Sequence, residues 1–155
     1  MAVLKSPGAY ESSRFLQFGT AQASPSRITR FAPGEAERER LVIEKLGDHG
    51  WGRWQYFRQC FSGGWGEGKQ KPLSPRSQEM LLRALACLPF SESVRPSLFL
   101  TDDGFFELAW RNQAGQAIQI ELGSKETEIF IEETGEEFTI PNTELESALT
   151  ERFGA

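Results

Sequence analysis

The sequence predicts an α+β domain, in which an antiparallel β-meander of about four to five strands carries helices on one face. Between Ser97 and Ile140, short apolar stretches are separated by DDG, NQAG, GSKE and TG. These separators contain the Gly, Asp and Asn residues that favour chain reversal. The predicted strands are SLFLT, FFELAWR, QAIQIEL, TEIFIEE and EFTI.

Apolar side chains alternate with polar or small ones along the central strands, a pattern typical of a sheet with one buried face. The buried face is expected to pack against Leu81, Leu85 and the last helix of the chain. The side chains predicted to form it are Phe106, Leu108, Trp110, Ile118, Ile120 and Leu122.

Three helices are predicted before the sheet, the first two of them from apolar spacing and end signals. The first covers Glu35–Leu46 and ends at Gly47. Asp48 is placed to cap the second, Trp51–Phe61, in which Trp54 is expected to lie in the core.

Two further helices carry clearer end signals. Ser74 and Pro75 fit the N-cap and first helical position of the third helix, and Pro89 ends it. Thr143 and Glu146 match the T-x-x-E capping box and open the last helix.

The predicted domain covers residues 34–155 and follows an irregular, partly ordered N-terminal arm, residues 1–33. That arm is rich in Ser, Pro and Gly, and it is expected to pack, if at all, through Phe15, Phe18 and Phe31. No apolar run has the length of a signal peptide or a membrane span, so a cytoplasmic protein with no membrane partner is expected.

Charge divides unevenly along the 155 residues. Residues 1–75 contain 11 Lys and Arg against 7 Asp and Glu, whereas residues 76–155 contain 6 against 15. The acidic half disfavours phosphate binding and favours a basic partner, or serves only solubility.

Carboxylates are dense near the end of the meander. Their position among turn residues, where water is near, predicts a solvated acidic face, with docking of a basic partner as the second interpretation. They are Glu126, Glu128, Glu132, Glu133, Glu136 and Glu137.

Aromatic and basic side chains interleave in residues 51–71. Trp, Tyr and Arg are enriched at the energetic centres of protein interfaces, and aromatics with basic residues also clamp single-stranded nucleic acid. The residues predicted to bind a partner are Trp51, Arg53, Trp65, Lys69 and Lys71, with Trp65 on its glycine-rich loop as the exposed anchor.

The same loop partly matches the phosphate-loop pattern GxxxxGK[ST] through Gly63, Gly68 and Lys69. Gln70 stands where the magnesium-binding hydroxyl should be, and Pro72 prevents a helix from starting there. No nucleotide or other cofactor is therefore predicted.

Conventional catalytic and metal-binding groups are sparse. His49 is the only histidine, and no nucleophile signature such as GxSxG accompanies it. One histidine with Cys60 and Cys87 supplies at most three ligands at unsuitable spacing, so neither a catalytic residue nor a metal site is predicted. The two cysteines are expected to be buried, reduced thiols, with a disulfide between them as the second interpretation.

Residues 65–75, WGEGKQKPLSP, and 96–110, PSLFLTDDGFFELAW, carry a further pattern. It resembles that of uncharacterised small bacterial proteins, W-G-x-G-x-x-x-P-L-S-P, a helix, then P-S-x-x-x-T-x-x-G-x-x-x-L-x-W. The resemblance covers about residues 50–140 and brings no catalytic residue. Some such proteins look like one member of a toxin-antitoxin-like gene pair, which implies a protein-binding role.

The sequence thus favours a non-enzymatic bacterial protein that binds another protein, with an antitoxin- or inhibitor-like role. The expected mechanism is occlusion of the partner by the arm and the Gly/Trp loop, which the meander and helices hold in place. One alternative is a nucleic-acid-binding regulator that uses the Trp/Arg/Lys segment 51–71. A further alternative, ranked last, is a hydrolase or nuclease that uses His49 with nearby carboxylates.

Overall fold

The computed structural model describes residues 34–61 and 71–154. This part of the chain has an α+β fold in which α-helices accompany a five-stranded antiparallel sheet, as predicted. The predicted arm of residues 1–33 lies outside the described residues. The helices are α1 (Glu35–Cys60), α2 (Pro75–Cys87) and α3 (Leu145–Phe153).

The sheet is a simple meander whose spatial order follows the order of the strands along the chain. Each strand pairs antiparallel with the next, and all five predicted strands are confirmed to within two residues at each end. The strands are β1 (Ser97–Leu100), β2 (Phe106–Arg111), β3 (Ala117–Leu122), β4 (Glu126–Ile131) and β5 (Glu136–Pro141).

The core lies between one face of the sheet and the helices. Helix α2 packs against β2 and β3, α3 packs against β5, and α1 packs against β1 and α2. All six strand side chains predicted to be buried are buried, together with Leu81 and Leu85 on α2. The alternation of apolar and polar residues therefore reports which face of the sheet meets the helices.

Helix α1 joins the two helices that the sequence separates. Only Gly47 departs from helical geometry inside it, with φ of +80° and ψ of 178°. A side chain at Gly47 would also meet the guanidinium of Arg95, since an added Cβ would lie 2.9 Å from its Nη1. The predicted break at Gly47 is confirmed, but the four-residue connection is wrong, because the helix resumes at once. Trp54 is buried as predicted.

The ends of α2 follow the sequence signals. The Ser74 hydroxyl accepts a hydrogen bond from the Ser77 N–H at 3.1 Å, Pro75 occupies the first helical position, and the helix ends before Pro89. None of the described helices has an apolar stretch long enough to cross a lipid bilayer.

The predicted capping box at α3 is wrong. A 3₁₀ turn, Asn142–Glu144, precedes the helix, and its N-cap residue Glu144 makes no side-chain capping bond. Glu146 instead accepts two hydrogen bonds from Arg83 on α2, at 2.5 and 3.1 Å. The local pattern predicted that the Glu146 carboxylate would accept a hydrogen bond from a backbone N–H. In the structure it binds the charged side chain of Arg83 on a neighbouring helix.

Candidate functional site

One face of the sheet has no helix or strand packed on it within residues 34–61 and 71–154. The buried strand side chains all lie on the opposite face, towards the helices. On the uncovered face, every strand side chain is exposed or half-buried. We call this surface the open face. Its residues in β2, β3 and β4 include Glu107, Ala109, Ala117, Gln119, Glu121, Glu128 and Phe130.

Three carboxylates form a row across the middle of the open face. Glu107 on β2 lies directly opposite Glu121 on β3, and Glu121 lies directly opposite Glu128 on β4. Phe99 on β1 and Thr139 on β5 continue the row at its two ends. We call Glu107, Glu121 and Glu128 the acidic row.

Two members of the acidic row, Glu107 and Glu121, have raised pKa values and so hold their protons more tightly than ordinary carboxyl groups. Burial raises the pKa of Glu107, and the facing Glu121 raises it further. Burial also raises the pKa of Glu121; a hydrogen bond with Thr101 opposes this, and the charges of Glu128 and Asp103 add to it. Like charges directly opposite each other in a sheet are destabilising. The row therefore stores electrostatic repulsion that a cation would relieve.

None of the three carboxylates forms an ion pair within the described part of the chain. The carboxylates that do are paired elsewhere, for example Glu133 with Arg111 and Glu136 with Arg152. The acidic row is therefore a local excess of negative charge on a surface over which no element of the described residues packs.

A shallow depression of about 560 Å³ lies beside the acidic row. Its floor includes Ala109 and Ala117, whose short side chains leave the sheet surface low, and Gln119 and Phe130 stand around it. Because Ala109 faces Ser97 and Gln119 across the sheet, the depression occupies the row of residues next to the carboxylates. The open face thus offers negative charge beside a small, partly apolar hollow.

Arg53 lies at the edge of this surface. Its Nε donates a hydrogen bond to the carbonyl of Leu98 on the outer strand β1 at 2.7 Å. Its guanidinium also lies 4.9 Å from the ring centre of Phe57 and 5.6 Å from that of Phe99. Arg53 therefore holds α1 to β1 and reaches Phe99, a 42% exposed aromatic at the end of the acidic row.

Lys71 lies at a second edge, beside the β1–β2 turn. Its side chain approaches Asp103 at 3.8 Å, and its backbone N–H donates to the carbonyl of Asp102 at 2.9 Å. The Ser74 N–H also donates to the Gly104 carbonyl at 2.8 Å, which holds this segment to the turn. The two backbones lie so close that a Cβ on Gly104 would be 2.1 Å from the Pro72 carbonyl oxygen. Asp103 in turn raises the pKa of Glu121, so Lys71 borders the acidic row.

The other residues predicted to bind a partner divide in two. Trp51 is half-buried and packs on Trp54, with ring centres 5.2 Å apart, and no described contact links it to the open face. Trp65 and Lys69 lie outside the described residues. The structure therefore brings Arg53 and Lys71 to the rim of the acidic row and leaves Trp51 on α1.

Sequence reasoning missed Glu107 and Glu121, and it placed the acidic face towards the end of the meander. Strand alternation could have found them, because both occupy outward positions in predicted strands. Their pairing needed the strand register, which the turn lengths help to set.

The side chains considered for catalysis or metal binding lie elsewhere. His49 is exposed on α1. Within the described ranges, no three His, Cys, Asp or Glu side chains are placed to hold a metal ion. Cys60 and Cys87 are free thiols, but Cys60 is exposed, which corrects the expected burial; burial raises the pKa of Cys87.

A second cavity of about 340 Å³ lies near the end of α3. The ring of Trp110 packs edge-on against Phe90 and Phe153 along its wall, with ring centres 4.9 and 5.7 Å apart. These contacts join α3 to the sheet, so the cavity is an edge of the core.

Comparisons with protein-family models, with curated proteins and with solved structures found no match to the chain. The resemblance to small bacterial proteins remains a prediction.

Proposed function

We propose that this protein binds another protein and acts by covering part of its partner, in the manner of an antitoxin or inhibitor. The observation that carries the proposal is the open face, where three carboxylates border a shallow hollow. Within residues 34–61 and 71–154 these carboxylates form no ion pair, and no element packs above them. An acidic surface of this kind binds most specifically to a partner whose surface carries positive charge.

Two features favour a protein partner over nucleic acid. The acidic row repels phosphate groups, which dominate the affinity of nucleic acids for proteins. The arginines of segment 51–71 are also engaged inside the fold: Arg53 bonds to Leu98, and the Arg58 guanidinium lies 4.8 Å from the ring centre of Trp54. A nucleic-acid-binding regulator is the second candidate, through Lys71 and through Lys69, which lies outside the described residues.

A catalytic role draws less support from the geometry. His49 lies on α1, which packs on the helix side of the sheet, whereas the acidic row lies on the open face. The histidine and these carboxylates therefore do not share a site.

Purification of the tagged full chain from its source organism, with nuclease treatment, tests the proposal. We expect one protein to co-purify in near-stoichiometric amount and to remain bound after nuclease digestion. Recovery of nucleic acid without a protein partner, with sub-micromolar and salt-sensitive affinity in an anisotropy titration, would favour the regulator instead.

A further inference from the structure

The open face also indicates the chemistry of its partner, an inference that rests on the proposed function. We propose that the open face binds a basic helix of the partner protein, which lies across the strands with Lys or Arg side chains at i, i+4 and i+7.

The spacing of the acidic row supports a helix. Glu107, Glu121 and Glu128 lie on three adjacent strands at directly opposite positions. Adjacent strands are about 4.8 Å apart, so the two outer members of the row are separated by about 10 Å along the sheet. A helix rises about 1.5 Å per residue, which places residues i and i+7 about 10.5 Å apart on one face. Three cations at i, i+4 and i+7 therefore match the three carboxylates.

Charge supports a cationic partner. The acidic row has no ion pair in residues 34–61 and 71–154. Arg53 and Lys71 at its rim are engaged with Leu98 and Asp103. Arg111, which lines the hollow, is paired with Glu133. An added cation would remove the repulsion between the facing carboxylates, a gain that an exposed, isolated carboxylate cannot provide. A basic helix therefore gains more here than on other acidic parts of the surface.

The shape of the open face allows side chains of the partner helix to pack beside the charged groups. The hollow over Ala109 and Ala117 lies in the neighbouring row of the sheet, next to Phe130. The long aliphatic stems of Lys and Arg, or a small apolar residue on the same helix face, can bury carbon atoms in it. Phe99 provides an exposed aromatic ring at one end of the row.

The test uses alanine-based helical peptides as probes. The first carries lysine at i, i+4 and i+7. A matched peptide carries the same three lysines at i, i+2 and i+5, which spreads them around the helix, and a third carries glutamate at i, i+4 and i+7. Fluorescence anisotropy with the full chain measures the dissociation constant of each.

Two protein variants of equal net charge complete the design. The row variant is Glu107→Gln/Glu121→Gln/Glu128→Gln. The control variant removes three exposed carboxylates away from the open face that form no ion pair in the described structure. Its substitutions are Glu92→Gln, Glu144→Gln and Glu151→Gln.

We expect the i, i+4, i+7 lysine peptide to bind the wild type and the control variant alike, and the row variant about tenfold more weakly, as three exposed charge pairs together provide. Equal weakening in the control variant would show that only net charge acts, and would overturn the inference. Equal binding of the i, i+2, i+5 peptide would overturn the helical geometry.

Amide chemical shifts of the labelled wild-type protein give a readout that needs no variant. Titration with the lysine peptide should shift resonances of β2, β3 and β4 at the acidic row, and shifts confined to α1 would overturn the inference. If a co-purified protein binds the row variant as tightly as the wild type, this inference is wrong and the proposed function stands. If no protein co-purifies, the proposed function itself fails.

Discussion

Glu107 and Glu121 face each other from adjacent antiparallel strands on the uncovered side of the sheet. Glu121 raises the pKa of Glu107, in addition to the effect of burial. The chain carries two carboxylates here although Gln would fit the same positions without charge. The pair therefore links the fold to the proposed binding role, and its cost to stability is measurable.

Glu121→Gln should stabilise the protein near neutral pH. The substitution removes the like charge opposite both Glu107 and Glu128, interactions worth about 0.2–1 kcal/mol in sheets. Partial exposure of these groups to solvent places the gain towards the lower end. Urea denaturation measures it, with Glu92→Gln as the control that has no carboxylate opposite. No gain over that control would contradict the repulsion.

The gain should depend on pH in a defined direction. The pKa values of Glu107 and Glu121 are raised in the folded state, so protonation of these carboxyl groups favours folding. Their contribution to the free energy of unfolding is fully present below the unfolded-state pKa of about 4.3, and it is lost as pH rises through the folded-state pKa values. The advantage of Glu121→Gln should therefore be largest at about pH 8 and shrink at about pH 5. An advantage that grows on acidification would contradict the raised pKa values.

Arg53→Met should destabilise the protein, because Arg53 has a structural bond as well as a place at the rim of the site. Methionine retains an apolar stem but leaves the Leu98 carbonyl without its side-chain donor, a loss of about 1–3 kcal/mol. Arg40→Met, on the exposed side of the same helix, is the control and should change the free energy of unfolding by less than about 0.5 kcal/mol. Equal stability of the two variants would contradict a stabilising role of the hydrogen bond between Arg53 and Leu98.

Gly104→Ala tests the attachment of residues 71–74 to the β1–β2 turn. Gly104 and Gly115 have similar positive φ values of +81° and +85°, but only Gly104 lies against backbone. Gly115→Ala should cost about 1–2 kcal/mol for the left-handed conformation alone. Gly104→Ala should cost a further 1–3 kcal/mol, roughly, because the Pro72 carbonyl must move. Equal losses in thermal or urea unfolding would contradict the close contact.

Glu146→Gln and Thr143→Ala distinguish the ion pair from the capping box. Glu146 accepts two bonds from Arg83, and although burial alone would raise its pKa, those bonds lower it. Loss of the pair should cost up to about 1 kcal/mol, whereas exposed Thr143 should tolerate alanine within about 0.5 kcal/mol. Destabilisation by Thr143→Ala, with no effect of Glu146→Gln, would contradict the ion pair and support the capping box.

The sheet was predicted well because each strand is marked by a local sequence pattern. Alternation identified Leu108, Trp110 and Ile120 as core residues, and the Gly- and Asn-containing turns located the reversals. The error at Glu146 has a different origin. Its partner Arg83 lies on α2, which is distant in the sequence. A local pattern therefore could not show that Glu146 would pair with Arg83 and not cap its own helix.

The candidate site was only partly predictable for the same reason. Arg53 and Lys71 were chosen from composition, and the structure places both beside Phe99 or Asp103 at the rim of the open face. Glu107 and Glu121 were missed because 14 positions separate them in the sequence, and only the register of β2 and β3 brings them together.

The central claim is that the partner covers the acidic row, and carboxyl footprinting of the complex with the co-purified protein tests it most directly. Carbodiimide-coupled labelling with glycine ethyl ester, read by mass spectrometry, reports the exposure of each carboxylate in the free and bound protein. We expect labelling of Glu107, Glu121 and Glu128 to fall on binding, while labelling of Glu92 and Glu151 stays unchanged. Unchanged labelling of the acidic row in a stoichiometric complex would contradict it.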